Sequence, residues 1–304
     1  MRFLVAGAGS WGTAFSRVLL ERGHEVVLAC HTRDQAEAIT ATGWNPHYLQ
    51  SVDLSGAEAI PLADAPADVE VVAALPGDAP VLSLVKGLDP ETGERLSTRV
   101  RGRSVAVLSG PNIAEEIAAG LPTTAVIASE DGFIAGQLQH ALNSGLFRAY
   151  VNPDVVGVEL CGAAKNVIAL AAGAVDGLRL GDNAKASLIS RGLAEMTRLG
   201  EAAGARPETF AGLAGIGDLV VSCCSSKTRN RQAGALIAQG LTAERAVAEI
   251  GQTVEGLTTA PILRDLSHRL GVELPITEGV CSVLSGQSIT ELAAGLMGRE
   301  PTEE

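Results

Sequence analysis

Aromatic residues are scarce in this chain, at 3% of 304 residues, while glycine is abundant at 35. That balance suits tightly packed helices and Gly-rich turns better than an all-β sandwich. Positive charge is also short: 23 Lys and Arg stand against 35 Asp and Glu, a net charge of −12 at pH 7. Non-specific nucleic-acid binding needs a basic face and is excluded. An anionic ligand must then be held by cations gathered locally, because the overall field repels it. Cysteine is limited to five residues with no CxxC pair, and the vicinal Cys223-Cys224 is poorly disposed for an ordinary bridge. All five read as reduced thiols, the usage of a cytoplasmic protein. His24, His31, His47, His140 and His268 lack metal-ligand spacing, so no metal is expected. His268 reads as structural. No uncharged apolar run reaches the length of a membrane span. Phe3-Leu4-Val5-Ala6 is too short for the core of a signal peptide.

What is present points to two domains. Apolar residues make up 46%, enough for a sizeable core in a chain of this length. Residues 2–6, 25–29, 69–74, 81–85 and 104–108 read as strands, with 123–128 a further candidate. They are apolar along their length, which fits a parallel sheet covered on both faces. After Asn152-Pro153 the pattern turns helical, over residues 162–177, 184–203, 231–239, 242–250 and 258–270. The boundary is therefore expected at 152/153, with an α/β domain (1–152) before an all-α domain (153–304). One feature resists this scheme. Residues 75–80 are too few for a parallel crossover, which takes a dozen or more. Either the flanking strands pair in another way or one of them is not a sheet strand.

Gly7-Ala8-Gly9-Ser10-Trp11-Gly12 follows the first strand and opens a helical pattern over 13–22. Gly7 permits the tight turn, Gly9 the approach of a pyrophosphate, and Gly12 close packing of helix on strand. A lone GxGxxG is a weak signal. Here it follows a first strand and precedes a second at the expected distance, so a Rossmann-like, mostly parallel sheet binding a dinucleotide is expected. At the tip of the second strand a carboxylate would select NAD. The chain offers Cys30-His31-Thr32-Arg33 instead, which favours the 2′-phosphate of NADP over NAD. Arg33 also reads as a solvated residue of a first helical turn.

The local cations lie further on. Lys165 and Asn166 sit in an otherwise apolar helical stretch, where burial lowers a lysine toward an acid–base range. A snorkelling lysine at a helix edge is the alternative. Asp218, in the Gly-rich turn Gly215-Ile216-Gly217-Asp218, needs a cation if buried, and Lys165 is a natural partner. Lys227-Thr228-Arg229-Asn230-Arg231 opens a helix, a setting suited to gripping phosphate. Lys86 ends a strand candidate, where ligands approach open α/β sheets. Glu255 reads as well as an ordinary surface acid. Ser109-Gly110-Pro111-Asn112 is not a nucleophile elbow.

At these residues the sequence resembles the bacterial-type NAD(P)-dependent glycerol-3-phosphate dehydrogenases over nearly its whole length. The resemblance is carried by GAGSWGTA (7–14), LVKGL (84–88), LSGPNIAEE (108–116), residues 157–200, ETFAGLAGIGDLVVSC (208–223), TRNRQ (228–232) and VEGL (254–257). It implies interconversion of glycerol 3-phosphate and dihydroxyacetone phosphate, which supplies glycerol 3-phosphate for phospholipid synthesis. Lys165 then matches the catalytic lysine that exchanges the carbinol proton, and Asp218 its associated carboxylate. Thr228, Arg229 and Asn230 match the phosphate-holding segment, with Gly110 and Asn112 in a substrate-contacting turn. Lys86 matches a lysine shared by substrate and cofactor. Ser10, Trp11, His31, Tyr48, Ala114, Arg229 and Glu255 match cofactor contacts, beside Gly7, Gly9, Gly12, Thr32 and Arg33 from the motifs above.

The chain departs from the family pattern in three places. A segment of roughly one helix before Lys86 is missing, the helix after Leu96-Ser97 is shortened, and Gln50 replaces a common proline. Two other readings remain at this point. One is a reductase of small hydroxy acids, against which Thr228–Arg231 speaks. The other is a dinucleotide sensor that has lost turnover. An Ala/Gly-rich helical half often buries a dimer face, which by analogy alone leaves a homodimer open.

Overall fold

A computed structural model of the chain describes residues 1–65, 71–72 and 79–289. The chain divides into two compact units, Met1–Val85 with Arg95–Glu159, and Lys86–Glu94 with Leu160 onward.

The first unit is built on β1 (Arg2–Ala6), α1 (Ser10–Glu21), β2 (Glu25–Cys30), α2 (Arg33–Thr42), β3 (Ala57–Pro61), β4 (Val71–Val72) and β5 (Val81–Ser83). It continues through β6 (Val105–Ser109), α3 (Ala114–Ala118), β7 (Thr123–Ala128), α4 (Gly132–Leu142) and β8 (Phe147–Asn152). The strands form one sheet in the order β3-β2-β1-β4-β5-β6-β7-β8. All neighbours are parallel except β6 and β7, where Leu108 faces Ile127 in an antiparallel pair. Phe3 and Val5 turn into the larger core with Phe15, Leu19, Leu28 and Leu138. Leu4 lies on the opposite face with Val27 and Ala29. Covering both faces is what makes these strands apolar throughout.

The short connection before β5 has a direct resolution. Val72 pairs with Val81 in a parallel bridge, so β4 and β5 are neighbours although too few residues separate them for a crossover helix. The dozen-residue expectation assumes a climb back along full-length strands. Here β4 has two residues and β5 three, so little strand length has to be retraced. Of the expected strand 69–74 only β4 is described; residues 69–70 and 73–74 lie outside the described residues. The strand expected over 81–85 stops at Ser83, and a 3₁₀ turn at Leu96–Arg99 stands where the sequence predicts a shortened helix.

The second unit is helical: α5 (Val155–Gly177), α6 (Asp182–Ala202), α7 (Pro207–Phe210), α8 (Asp218–Cys224), α9 (Arg229–Ala238), α10 (Ala243–Ile250), α11 (Glu255–Leu270) and α12 (Pro275–Leu284). Helix α5 begins seven residues earlier than its apolar period suggests, because Asp154 Oδ1 accepts from the Gly157 amide at 2.9 Å and caps it. It is 23 residues long and apolar enough to cross a membrane, yet 89% of its most apolar stretch is buried in the protein and it carries Glu159 and Lys165. It is a core helix. Glycine sets its closest neighbour: a Cβ on Gly173 would stand 1.9 Å from Arg231 O, and one on Gly234 1.9 Å from Leu170 O. Helices α5 and α9 therefore cross backbone against backbone. Leu213–Gly217 forms one π-helical turn that leads into α8 and delivers Asp218.

Candidate active site

In the first unit the glycine motif makes an open cradle. Gly7 has φ +103°, and the space where Gly7 and Gly9 would carry Cβ atoms is empty to 4 Å. Gly12 is the tight one, its missing Cβ falling 1.9 Å from Gly7 O. Gly9 begins α1 without a side-chain cap, leaving the first amides of the helix, at Ser10 and beyond, free to meet an anion. Trp11 Nε1 is buried and has no hydrogen-bond partner among the described residues. Open space, uncapped amides and an orphan indole N–H all fit a bound dinucleotide. The loop is held from behind by Gln35 and Asn45, whose amide groups donate to Ala8 O at 3.0 and 2.9 Å. Neither is singled out by sequence, since an amide side chain signals nothing until its acceptor is known.

The tip of β2 is more mixed than the sequence suggests. His31 is exposed. Thr32 Oγ1 accepts from Gln35 N at 3.3 Å as the cap of α2. Arg33 reaches Asp64 at 3.0 Å, with its side chain 65% exposed. An exposed pair of this kind is weak and readily exchanged for a phosphate. Tyr48 is half-buried against the ring of His47. After β6, Gly110 takes φ +128°, and a Cβ there would meet Thr124 O and Ala125 Cα at 3.2 Å. Asn112 Nδ2 donates to Thr124 O at 2.7 Å while its Oδ1 is buried without a partner, an acceptor left over for a ligand. Ala114 is the first residue of α3.

The second unit gathers the charged residues. Lys165 is buried on α5, and its Nζ donates to Asp218 Oδ1 at 2.8 Å and to Ser222 Oγ at 2.9 Å. Lys86, three residues past β5, brings its Nζ to Asp218 Oδ2 at 2.6 Å. One carboxylate thus serves two ammonium groups. Burial pushes Lys86 down to about 8; attraction to Asp218 opposes that shift and the like charge of Lys165 adds to it. Burial works to raise Asp218, but the fields of Lys165 and Lys86 outweigh it and hold the carboxyl below its ordinary range. Ser222 is an addition to the residues that the sequence picks out. It lies one helical turn after Asp218, a spacing that puts both on one face.

Beside this cluster runs a chain of amides. Asn166 Nδ2 donates to Lys86 O at 2.9 Å and to Glu255 Oε2 at 3.1 Å. Asn230 Nδ2 donates to Asn166 Oδ1 at 2.9 Å, and Asn230 Oδ1 accepts from Gly256 N at 2.8 Å. Glu255 is therefore part of the constellation and not a solvated surface acid. The Thr228 hydroxyl donates to Ser222 O and Ser225 O and leaves the start of α9 without a side-chain cap. Arg229 is half-buried and makes no ion pair among the described residues. A guanidinium beside uncapped helix amides is a setting suited to an anion.

The chain matches two family models, the NAD-dependent glycerol-3-phosphate dehydrogenase N-terminus over residues 3–61 and 66–135 and the C-terminus over 154–294. It is 44% identical to the glycerol-3-phosphate dehydrogenase [NAD(P)+] of Moorella thermoacetica, over 99% of this chain and 96% of that one. The protein of the same name from Enterobacter sp. strain 638 is 43% identical, with the same coverage. The first alignment spans 324 positions, more than the 304 residues here, so that relative has residues with no counterpart in this chain. The crystal structure of the glycerol-3-phosphate dehydrogenase from Coxiella burnetii superposes with a TM-score of 0.91, at 33% identity, covering 98% of this chain and 99% of that one.

Proposed function

Because the chain belongs to the NAD-dependent glycerol-3-phosphate dehydrogenase family, we propose that it interconverts dihydroxyacetone phosphate and sn-glycerol 3-phosphate as an NAD(P)-dependent oxidoreductase. The observation that carries the reading is the buried Lys165–Asp218–Lys86 cluster beside the open amides of α9. Residues 1–152 carry the dinucleotide and 153–304 the chemistry, with Lys86 contributed by the short 86–94 segment.

Gly7, Gly9, Ser10, Trp11 and Gly12 hold the pyrophosphate, with His31, Thr32 and Arg33 at the adenosine end and Tyr48, Ala114, Arg229 and Glu255 as further contacts. NADP is favoured, because Arg33 can leave Asp64 for a 2′-phosphate. When bound, the nicotinamide supplies or accepts the hydride. The remaining work falls to the protein. Arg229, Asn230, Thr228 and the α9 amides grip the substrate phosphate, and Lys86 adds charge. Gly110 and the spare Asn112 Oδ1 meet the hydroxyl end. In reduction Lys165 Nζ gives a proton to the carbonyl oxygen as it becomes a hydroxyl; in oxidation it takes that proton back. Asp218 and Ser222 hold the ammonium in place.

The product is the backbone on which phospholipids are built. A homodimer of the 31.1 kDa chain in the cytoplasm completes the reading, supported by the Ala/Gly-rich helices and five free thiols; sedimentation checks the dimer. The deciding assay follows NADPH absorbance with dihydroxyacetone phosphate, and in parallel with unphosphorylated 2-keto acids. Oxidation with the phosphate ester alone is expected. Turnover with the keto acids instead would favour the hydroxy-acid reductase. The short 73–80 connection favours one rival, a sensor, which would bind NADPH tightly and turn over neither substrate.

A further inference from the structure

A second ion cluster lies next to the first and has no role in the chemistry above. Asp176, near the end of α5, accepts from Arg231 Nε at 2.6 Å and pairs with Lys185 Nζ of α6 at 2.5 Å. All three side chains are largely buried, at 24%, 21% and 15% exposure. The two clusters share helices: Asp176 and Lys165 both lie on α5, and Arg231 follows Asn230, which bonds Asn166 beside Lys165.

Its consequence follows from helix geometry. Residues two apart on a helix point about 200° away from each other. With Arg231 tied to Asp176 of α5, Arg229 projects from the opposite side of α9. Two other contacts agree with that rotation: Asn230 on Asn166, and Gly234 packed against Leu170 O. The glycine crossing sets how close α9 lies but exerts no directional pull on its first turn. The ion pair does, at the residue next but one to Arg229.

We propose that Asp176 is a positioning residue for phosphate recognition. By anchoring Arg231 it fixes the rotation of the first turn of α9 and aims Arg229 and the open amides at the substrate phosphate. Asp176 also engages Arg231 and Lys185, so that Arg229 is the guanidinium of this turn left for the ligand. This rests on the dehydrogenase reading above.

The test is Asp176→Asn, which keeps size and removes charge, with Asp176→Glu and Lys185→Gln as companions and circular dichroism to confirm folding. The KM for dihydroxyacetone phosphate should rise about tenfold, with kcat and the KM for NADPH changed by less than about twofold. Turnover of dihydroxyacetone, which lacks the phosphate, should be unchanged, and Asp176→Glu should restore most of the KM. Equal losses on both substrates, or an unchanged KM in a folded variant, would overturn the proposal. Binding of inorganic phosphate, measured by calorimetry, separates this proposal from the dehydrogenase reading. If the wild type is silent on dihydroxyacetone phosphate, the dehydrogenase reading falls. Weaker phosphate binding by Asp176→Asn would still support the positioning role, and equal binding would refute it.

Discussion

Lys86 and Lys165 share one carboxylate, and Lys86 is expected to respond to pH near neutrality. Burial lowers Lys86 to about 8, from 10.5. Above pH 8 it loses its charge, so the KM for the phosphate ester should climb on that limb. Lys86→Arg should remove the limb, because guanidinium stays charged. For stability the sign is set by proton release: the folded chain gives up this proton before the unfolded one. Stability gained from it is therefore present above about 10.5 and is lost as pH falls through 8. Thermal unfolding from pH 7.5 to 10.5 should show the rise in wild type and its absence in Lys86→Met. At this scale much of the site is legible in the sequence. Lys165, Asp218 and the Thr228–Asn230 turn stand out because charge is rare in Gly-rich or apolar surroundings. Ser222, Gln35 and Asn45 do not, because their types are ordinary and their partners cannot be read from the residues beside them.

At the scale of elements, glycine and helix caps decide the layout. Gly173→Ala would set a methyl against Arg231 O and force α5 and α9 apart. It should cost about 1–3 kcal/mol in chemical denaturation, and also weaken phosphate binding by moving α9. Helix α12 depends on Glu195 of α6, a buried acid that accepts from the Ile276 amide at 2.6 Å. Burial raises it to about 7 from 4.5, against the pull of the Ile276 and Thr277 amides and Arg198. A raised acid lends stability below about 4.5 that is lost as pH rises through 7. Glu195→Gln should flatten that decline in a melting series from pH 4.5 to 7.5. The inner strands and the long helices are readable from apolar runs and helical spacing, whereas β3, an edge strand with only half-buried and exposed residues, is not anticipated. Strand β8 is not: Phe147, Ala149 and their exposed neighbours Arg148 and Tyr150 alternate, unlike the all-apolar inner strands. Helix α12 has four β-branched residues and one Gly among its ten, so packing and its Glu195 cap determine it more than propensity does.

For the whole molecule, a chain of net charge −12 gathers Lys86 and Lys165 on one buried carboxylate, so on the proposed reading activity depends on local charge and not on net charge. The chain forms two compact units, to which the proposed reading assigns the dinucleotide and the proton transfer. The 86–94 segment is the part that sequence order misassigns, because contacts and not chain position place Lys86 with the helices. The proposed reaction rests on Lys165 as the acid–base group. The most direct measurement follows NADPH absorbance with dihydroxyacetone phosphate for wild type and Lys165→Ala, with NADPH binding by fluorescence in the same samples. Active wild type, a loss of about 10²–10⁴-fold in kcat for the variant, and equal NADPH affinity are predicted. A variant that keeps most of its kcat while still folded would contradict the assignment.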